Sequence, residues 1–399
     1  MAAHTHSHPE VKKFEPSQQH KTIAIALVAI GLIGMIVGVI REPGRAWPAY
    51  LTAFFFVTTL GMGGLFFTAI NHVASAGWSS GIRRMAEGMT SFLPVMVIGS
   101  LVLIAGLKHL YPWAQADLVA ATPLLQSKVA YLNTGFLIVR LLIFGIGTLV
   151  FARMIVGNSI KQDQTGDESL TKKNLALSVA FILFFALSFS LFSVDLLMSL
   201  LPTWYSTIFG IYIFAGMFQA SMAFLILILY FFKNSGHVKG YYTDEHIHDV
   251  AKYMKGMTVF WAYIAFSQFM LIWYANIPEE TEFYIMRIQN GWMAFSVGLL
   301  LFRFIVPFLA LLPRWAKRTE VHLKSVCVLI LVMHYVDLYW LVYPNFNDNK
   351  VVFGFYEIAL LLGFLGAFFL VLMKFFRQHS LVAVKDPRMQ ESLTHHVTY

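Results

Sequence analysis

The feature that most constrains this chain is a series of ten apolar segments, each long enough to cross a lipid bilayer. A bilayer core needs about 20 apolar residues per helical crossing, and only helices or closed barrels satisfy their backbone polar groups there. Charged residues make up 13% of the sequence, against roughly 25% in soluble domains, which excludes a soluble enzyme and a nucleic-acid-binding module. The sequence therefore predicts an all-α integral membrane protein with about ten transmembrane helices, over 22–40, 47–71, 88–110, 132–157, 174–201, 205–233, 250–277, 286–312, 321–343 and 351–376.

Basic residues are distributed unevenly between the two ends of these predicted spans. If both termini lie on one face, 21 of the 29 Lys and Arg residues fall on that face and six on the other, while Arg140 and Arg303 fall inside spans. Because positively charged loops stay in the cytoplasm, this asymmetry predicts that both termini are cytoplasmic. It also accounts for the net charge of +8 without a polyanion-binding surface, so we expect no nucleic-acid partner.

Short motifs recur in the same order in predicted spans two to five and six to nine. Val194-Asp195-Leu196 ends span five and Val336-Asp337-Leu338 ends span nine, and each Asp is followed by a proline seven residues later. Matching Trp, Gly-Met-Thr and Asn positions occur in the other spans, which predicts a duplicated four-helix unit with both copies in the same orientation. The predicted organisation is a cytoplasmic tail (1–21), a peripheral helix (22–46), two four-helix bundles (47–201 and 202–344), a second peripheral helix (345–376) and a cytoplasmic tail (377–399).

The first predicted span contains Gly34 and Gly38, whose spacing is that of a small-residue packing face. Glycine is common in membrane helices, so we interpret the pair as ordinary glycines rather than as a contact surface. Both tails are expected to be solvated, and so are their loosely spaced histidines, which we do not interpret as metal ligands: His4, His6, His8, His395 and His396.

Ionisable side chains inside the predicted spans are the strongest functional signal, because a charge in the bilayer core is costly. Asp195 and Asp337 lie at matching depth near the outer ends of their spans, and His334 lies on the same helical face as Asp337. Arg140 and Glu357 lie at similar depth. Carboxylate and imidazole groups together predict either a proton exit or a quinol headgroup site. The alternative is a set of structural salt bridges, for example between Asp195 and Arg140.

A second set of polar residues is predicted near the cytoplasmic ends of the spans. His72 ends span two, Glu87 opens span three, and Arg303 lies in the inner half of span eight. We interpret them as a candidate proton-uptake route, with Ser267 among the groups that would connect it to the outer set. The alternatives are side chains that snorkel to the interface and serines that bond to their own helix backbone. The other candidate connecting groups are Ser188, Ser190, Ser193, Tyr263 and Gln268.

The single cysteine, Cys327, excludes a disulfide framework, a cysteine-ligated iron–sulfur cluster and a Cys-type zinc site in this chain. A bis-histidine haem is not favoured, because His109 lies at a span end and His72 lies on the opposite side from His334. The predicted loops are too short to fold as domains that hold a cofactor. We therefore expect neither a redox cofactor nor a metal site in this chain.

Four segments carry motifs long enough to compare with known families. They are Ser193-Val194-Asp195-Leu196 with the following Pro202, Trp204 and Gly210; Phe266-Ser267-Gln268-Phe269 with the run from Trp273 to Thr281; the run from His334 to Val342; and Asn71-His72-Val73 with Trp78, Arg83 and Arg84. These segments resemble the NrfD-like family of polysulfide reductase membrane subunits. More narrowly, they are similar to the two large membrane subunits of alternative complex III, a quinol:cytochrome c oxidoreductase.

The resemblance implies a specific setting in a bacterial cytoplasmic membrane. It implies periplasmic partner subunits with iron–sulfur clusters and c-type haems, a paralogous NrfD-like subunit that binds menaquinol or ubiquinol, and a terminal oxidase as a further associate. Leu201 and Thr203 stand where we expect more acidic and imidazole character in the quinol-binding subunit. The chain therefore looks like the other, ActF-type subunit, which is proposed to conduct protons, and Asp195, His334 and Asp337 carry over as motif positions.

Three other functions are compatible with the sequence. A quinol-binding catalytic site in this chain would require a cavity open to lipid beside Asp195 or His334. A membrane scaffold for periplasmic subunits would use its buried charges only for structure. A secondary transporter agrees with the repeat, although broken helices and a midplane substrate site are not evident.

Overall fold

A computed structural model describes residues 11–396, which form helices and loops without a strand. Ten of these helices are long and apolar enough to cross a membrane, which confirms the predicted all-α fold and its ten spans. The chain is therefore a multi-pass membrane protein. The ten helices are α1 (Gln18–Arg41), α2 (Pro43–Val73), α3 (Gly77–Leu110), α4 (Thr134–Thr165), α5 (Ser169–Leu200), α6 (Phe209–Asn234), α7 (Asp244–Ala275), α8 (Trp292–Ala310), α9 (Glu320–Asn345) and α10 (Phe355–Gln378).

Side-chain caps fix the start of several of these helices. The hydroxyl oxygen of Ser17 accepts a hydrogen bond from the backbone N–H of His20 (3.2 Å), and the side-chain oxygen of Asn133 accepts one from Phe136 (2.8 Å). These bonds satisfy N–H groups that have no partner inside the helix. Helices α1 and α4 therefore begin at positions that the local sequence determines.

Helices α2 and α6 form the centre of the molecule, since almost all of their side chains are buried. Helix α2 packs against α5, α6 and α9, and α6 packs against α9, α2 and α5. Around this pair, α3 packs on α2 and α4 on α5, while α7 packs on α6 and α8 on α9. Contacts among α2 to α5 have counterparts among α6 to α9, for example α2 with α5 and α6 with α9. This agrees with a duplicated unit whose two copies have the same orientation. The boundaries of the two four-helix bundles stay a prediction.

Helices α1 and α10 pack closely on each other through glycines. A Cβ atom added at Gly31 would lie 2.4 Å from the Cα of Gly363, and one added at Gly34 would lie 2.8 Å from the Cβ of Ala359. One added at Gly38 would lie 2.7 Å from the Cβ of Ala46. The interpretation of Gly34 and Gly38 as ordinary glycines is therefore wrong, because these close approaches leave no room for a side chain.

Helix α8 contains a π-helical stretch, Leu299–Ile305. Such stretches insert a residue into the helical repeat and change which side chains face inward. Within this stretch Leu300 and Phe302 are exposed, whereas Leu299 and Arg303 are buried. The local distortion therefore accompanies the placement of Arg303 inside the bundle.

The C-terminal segment 379–396 packs on the face that also carries residues 11–17, which we call the basic face. Leu381 and Met389 are buried there, and the hydroxyl of Ser392 accepts a hydrogen bond from the Gly81 N–H (3.1 Å). The prediction of a solvated tail is wrong for this segment, because its apolar side chains are buried against the ends of the helices. His395 Nε2 lies 2.7 Å from Asp249 Oδ2, and His396 is exposed, while His4, His6 and His8 lie outside the described residues.

Candidate functional site

Asp337, Arg303 and His334 form one buried cluster, which we call the central cluster. Asp337 Oδ2 lies 3.2 Å from Arg303 Nη1, and Asp337 Oδ1 accepts a hydrogen bond from the hydroxyl of Tyr212. Arg303 Nη2 lies 3.1 Å from His334 Nδ1. The three ionisable residues are each at most 2% exposed. The structure therefore brings three predicted site residues into direct contact between α6, α8 and α9.

The hydrogen bonds of the central cluster have a defined direction. Arg303 carries only donors, so His334 Nδ1 must accept, and the proton of the neutral ring is assigned to Nε2. Nε2 lies 2.9 Å from Thr59 Oγ1, and the Thr59 hydroxyl donates to the carbonyl of Phe56 (2.6 Å). A neutral imidazole therefore connects the Asp337–Arg303 ion pair to a hydroxyl on α2.

The assignment of Arg303 to the cytoplasmic set with His72 and Glu87 is wrong. The predicted span ran from 286 to 312, whereas α8 begins at Trp292 and contains the π-helical stretch, so depth counted from the predicted ends misplaces Arg303. The sequence also gave no reason to choose Tyr212 or Thr59. Hydroxyl side chains are common in membrane helices and become conspicuous only when a charged partner is known.

Asp195 forms a second buried pair with Arg140, between α4 and α5. Arg140 Nε lies 2.7 Å from Asp195 Oδ2, and the Tyr131 hydroxyl donates to Asp195 Oδ1 (3.0 Å). The Arg140 guanidinium also lies 4.0 Å from the centre of the Tyr131 ring. Burial and the nearby Asp195 raise the pKa of Tyr131 to about 12, so this phenol remains a hydrogen-bond donor. The contact agrees with the salt-bridge alternative stated for Asp195 and Arg140.

Two openings adjoin the Asp195–Arg140 pair. A cavity of about 320 Å³ near the non-basic face is lined by Tyr131, Ser199 and Trp204, among others. A smaller cleft of about 80 Å³ is lined by both members of the pair and by Leu191, which is exposed on the outside of the bundle. This cleft reaches the Asp195–Arg140 pair from the side of the bundle, although Asp195 is itself only 1% exposed, as is His334 of the central cluster.

Glu357 forms a separate site in which both carboxylate oxygens accept hydrogen bonds, from two other helices and from the residue that caps its own helix. Its two carboxylate oxygens each lie 2.9 Å from an Arg45 nitrogen, and they also accept from the Tyr343 hydroxyl (2.9 Å) and the Gly354 N–H (2.8 Å). These bonds connect α10 with the start of α2 and the end of α9. The structure does not bring Glu357 into contact with Asp195 or Asp337, so its predicted place in one outer cluster is not observed.

Glu87 lies in a charged network on the basic face. Its carboxylate is 2.6 Å from Arg84 Nη1 and 3.4 Å from Arg83 Nε. Arg84 also bonds to Asp163 of α4 (2.5 Å), and Arg83 bonds to Asp386 of the C-terminal segment. This network, which we call the basic-face network, connects α3, α4 and the C-terminal segment, and the sequence pointed only to its α3 members.

His72 lies beside the basic-face network. It is 5% exposed, and within residues 11–396 its Nε2 has no hydrogen-bond partner. The side-chain oxygen of the adjacent Asn71 has none either in that range. Because a buried polar atom without a protein partner requires water, the pair indicates a hydrated position at this end of α2.

The predicted connecting residues have different surroundings in the bundle. Ser190 and Ser193 donate to carbonyls four residues earlier in α5 (2.7 and 2.8 Å), as their alternative interpretation expected. Tyr263 is 64% exposed, on the outside of the bundle. Ser267 is half-buried on α7, and no hydrogen bond of the described residues involves its hydroxyl. Tyr263 therefore faces away from the bundle, whereas Ser193 and Gln268 are buried in it, and the connecting route stays a prediction.

Polar side chains of α2, α6 and α7 lie at the centre instead. The Ser221 hydroxyl lies 3.0 Å from the carbonyl oxygen of Thr59, and Gln219 Nε2 donates to the Thr258 hydroxyl (2.9 Å). Within residues 11–396, Gln219 Oε1 and the hydroxyl of Thr58 have no hydrogen-bond partner although both are buried. These atoms therefore leave hydrogen-bonding capacity unused close to the central cluster.

The sequence also missed Arg287, which is buried near the non-basic end of the bundle. It donates to the backbone carbonyls of Phe283 (2.8 Å), Leu341 (2.8 Å) and Trp340 (3.1 Å). Burial lowers its pKa to about 9. The neighbouring aromatic residues were the only signal, because a loop arginine is otherwise expected to be solvated.

Two comparisons with known proteins give no match. No protein-family model matches the chain, and no curated protein is significantly similar to it. Membership of the NrfD-like family therefore stays a prediction from the four resembling segments. Across the described residues 11–396, no group of three His, Cys, Asp or Glu side chains is placed to hold a metal ion.

Proposed function

We propose that this chain is a membrane subunit of a respiratory quinol oxidoreductase of the alternative complex III type, and that its central cluster binds and releases protons. The observation that carries the proposal is the enclosure of three ionisable side chains in direct contact, each at most 2% exposed. Ionisable groups inside a membrane bundle are costly, which makes a functional role their default interpretation. Iron–sulfur and c-type haem subunits and a paralogous quinol-binding subunit would be its partners.

The geometry of His334 distinguishes the central cluster from an isolated ion pair. A buried ion pair is a poor stabiliser on its own, because desolvation offsets the attraction between its charges. His334 Nδ1 gives Arg303 a second acceptor, 3.1 Å from Nη2. When Asp337 takes up a proton, Arg303 can therefore keep a hydrogen-bond partner and its charge. Asp337 is accordingly the group that we propose to exchange the proton.

The assignment to a redox complex is tested by purifying the chain from native membranes under mild solubilisation. The visible spectrum and the subunit masses of the purified material are then recorded. A c-type haem spectrum and a co-purifying iron–sulfur protein would support the proposal. A chain that is stable alone and carries no cofactor-containing partner would contradict it and would favour a secondary transporter.

The proton role is tested with Asp337→Asn in the whole complex. Asparagine keeps an acceptor for Arg303 but cannot ionise, so we expect normal assembly and a fall of roughly tenfold or more in proton movement across sealed vesicles. Glu320→Gln is the matched control, because Glu320 lies on the same helix in a surface ion pair with Lys324. Unchanged proton movement in Asp337→Asn, or none in the parent complex, would overturn the role. An altered stability with unchanged proton movement would favour a scaffold.

The cavity beside the Asp195–Arg140 pair favours one second candidate, a quinol-binding site in this chain. Its volume of about 320 Å³ lies at the lower end of the range of roughly 300–1,000 Å³ for small-molecule sites. Asp195 does not line this cavity, but the hydroxyl of Tyr131, which does, donates to Asp195 Oδ1 (3.0 Å), so a quinol headgroup in the cavity would release its proton to Asp195 through Tyr131.

Labelling of native membranes with a photoreactive quinone tests this candidate. Quinol binding here predicts cross-links at Tyr131 or Trp204 that are lost when Ser199→Trp fills the cavity. Ser190→Trp is the control, because Ser190 lies on the same helix outside the cavity. Cross-links confined to other subunits would exclude the candidate.

A further inference from the structure

We propose that a basic cavity between the N-terminal segment and the end of α10 binds the headgroup of an anionic glycerophospholipid. The cavity lies on the basic face, where α1 begins and α10 ends, and its volume is about 620 Å³. This inference goes beyond the proposed proton role and does not depend on it. The cavity is lined by Lys13, Pro16, Lys21, Leu370, Met373, Lys374, Arg377 and Gln378.

The charges around this cavity are only partly compensated by the protein. Four of its eight lining residues are cationic. Glu15 lies 3.3 Å from Lys13 and 3.4 Å from Arg377 and so neutralises part of this charge. Within residues 11–396, no ion pair is formed by Lys21 or Lys374. The cavity therefore attracts an anion, and two ammonium groups are available to bind it.

The apolar residues around the cavity identify the anion as a lipid. Leu370 and Met373 precede Lys374 on α10, so they line the cavity on its membrane side. On α1, Ile23 and Ile25 follow Lys21 and are 49% and 57% exposed. A free phosphate would use only the cations, whereas a diacyl lipid would also cover these apolar side chains. The juxtaposition of cations with apolar helix surface at one membrane interface fits a phospholipid.

General attraction between a basic face and an anionic leaflet is the competing explanation, and the chain offers a matched control for it. Lys172 and Lys173 are exposed at the start of α5 on the same face. Replacing this pair removes the same charge as replacing Lys21 and Lys374, but it leaves the cavity intact. Only a specific site predicts that the two double variants differ.

The experiment is native mass spectrometry of the full-length chain with its bound partners, released from vesicles that contain phosphatidylglycerol and phosphatidylcholine. We expect the parent protein and the Lys172→Gln/Lys173→Gln variant to retain phosphatidylglycerol. Lys21→Gln/Lys374→Gln should bind it roughly thirty-fold more weakly, the factor implied by the loss of two cations beside an anionic headgroup. Glu15→Gln should bind it more tightly, because it removes the competing carboxylate.

Three results would overturn the proposal. Equal loss of lipid in both double variants would show that the whole basic face attracts the lipid. Equal retention of phosphatidylcholine would show that the headgroup charge is not recognised. Displacement of the lipid by millimolar inorganic phosphate would show an anion site that does not use the acyl chains. Gel filtration of each variant, monitored for an unchanged elution volume, excludes misfolding as the cause of lost binding.

Discussion

At the scale of single residues, the Arg140–Asp195 pair shows how a buried charge depends on its partner. Both residues are less than 10% exposed, and Asp195 has only Arg140 and Tyr131 as side-chain hydrogen-bond partners in the described structure. We predict that Arg140→Ala lowers the free energy of unfolding by about 3–5 kcal/mol, because it leaves a carboxylate buried without a cation. Denaturant titration in detergent measures this value.

The double variant Arg140→Gln/Asp195→Asn is the control for this prediction. It removes both charges, keeps the size of the Asp195 side chain and retains part of the Arg140 side chain, so it should be considerably more stable than Arg140→Ala. If the double variant is as unstable as the single one, packing of the arginine side chain rather than charge pairing stabilises this part of the bundle.

The residues that the sequence identified and those that it missed differ in a physical way. Asp195, His334 and Asp337 were conspicuous because an ionisable side chain in an apolar segment is costly wherever it lies. The hydroxyl side chains that bond to these residues were not conspicuous, since a hydroxyl group can also bond to the backbone of its own helix. The bond between Arg45 and Glu357 joins residues 312 positions apart, and no local pattern indicates such a pairing.

At the scale of elements, docking of the C-terminal segment depends on groups that respond to pH. Burial lowers the pKa of His379 below its ordinary 6.5. Burial opposes the ionisation of Asp386, but the charge and hydrogen bond of Arg83 together with the hydrogen bond from the Arg388 N–H outweigh it, so the pKa of Asp386 lies below 3.8. A group whose folded pKa is lowered stabilises the docked form above its ordinary pKa and loses this contribution as the pH falls. We therefore predict that acidification weakens docking, first below about pH 6.5 and then below pH 3.8.

A spin label at Thr394→Cys measures this release, because Thr394 is exposed and the native Cys327 is buried. Label mobility should increase as the pH falls. Asp386→Asn should remove the step at the lower pH and should raise mobility at neutral pH, since it breaks the contact with Arg83. Mobility that is constant with pH, or that increases only in alkaline solution, would contradict the assignment.

The spans were predictable because each helix must by itself be long and apolar enough to cross the bilayer, and this length can be read from the local sequence. The docking of the C-terminal segment was not predictable, because its burial depends on a surface that other helices form. The same is true of the π-helical stretch in α8, which changes the facing of Arg303 without any change in hydropathy.

At the scale of the whole molecule, a layer that contains a cluster of phenylalanine rings lies between the central cluster and the basic-face network. Thr59 and Asn71 on α2 are twelve residues apart, which is about 18 Å along a helix. The hydroxyl of Thr68 between them donates to the carbonyl of Gly64 in the same helix (2.9 Å). Phe66 lies in this layer, with its ring centre 5.0–5.2 Å from those of three further phenylalanines, which are Phe185, Phe214 and Phe218. A proton can cross this layer only if water enters it.

We therefore predict that the protein at rest holds a proton gradient. Vesicles that contain the purified complex and a pH-sensitive dye should leak protons no faster than protein-free vesicles until quinol is added. Phe66→Asn should increase the resting leak several-fold, because it both opens space and supplies a polar group that can hydrogen-bond water between α2, α5 and α6. Phe266→Asn is the control, since Phe266 is 60% exposed on α7. A parent protein that leaks as fast as Phe66→Asn would show that this layer does not seal the bundle against protons at rest.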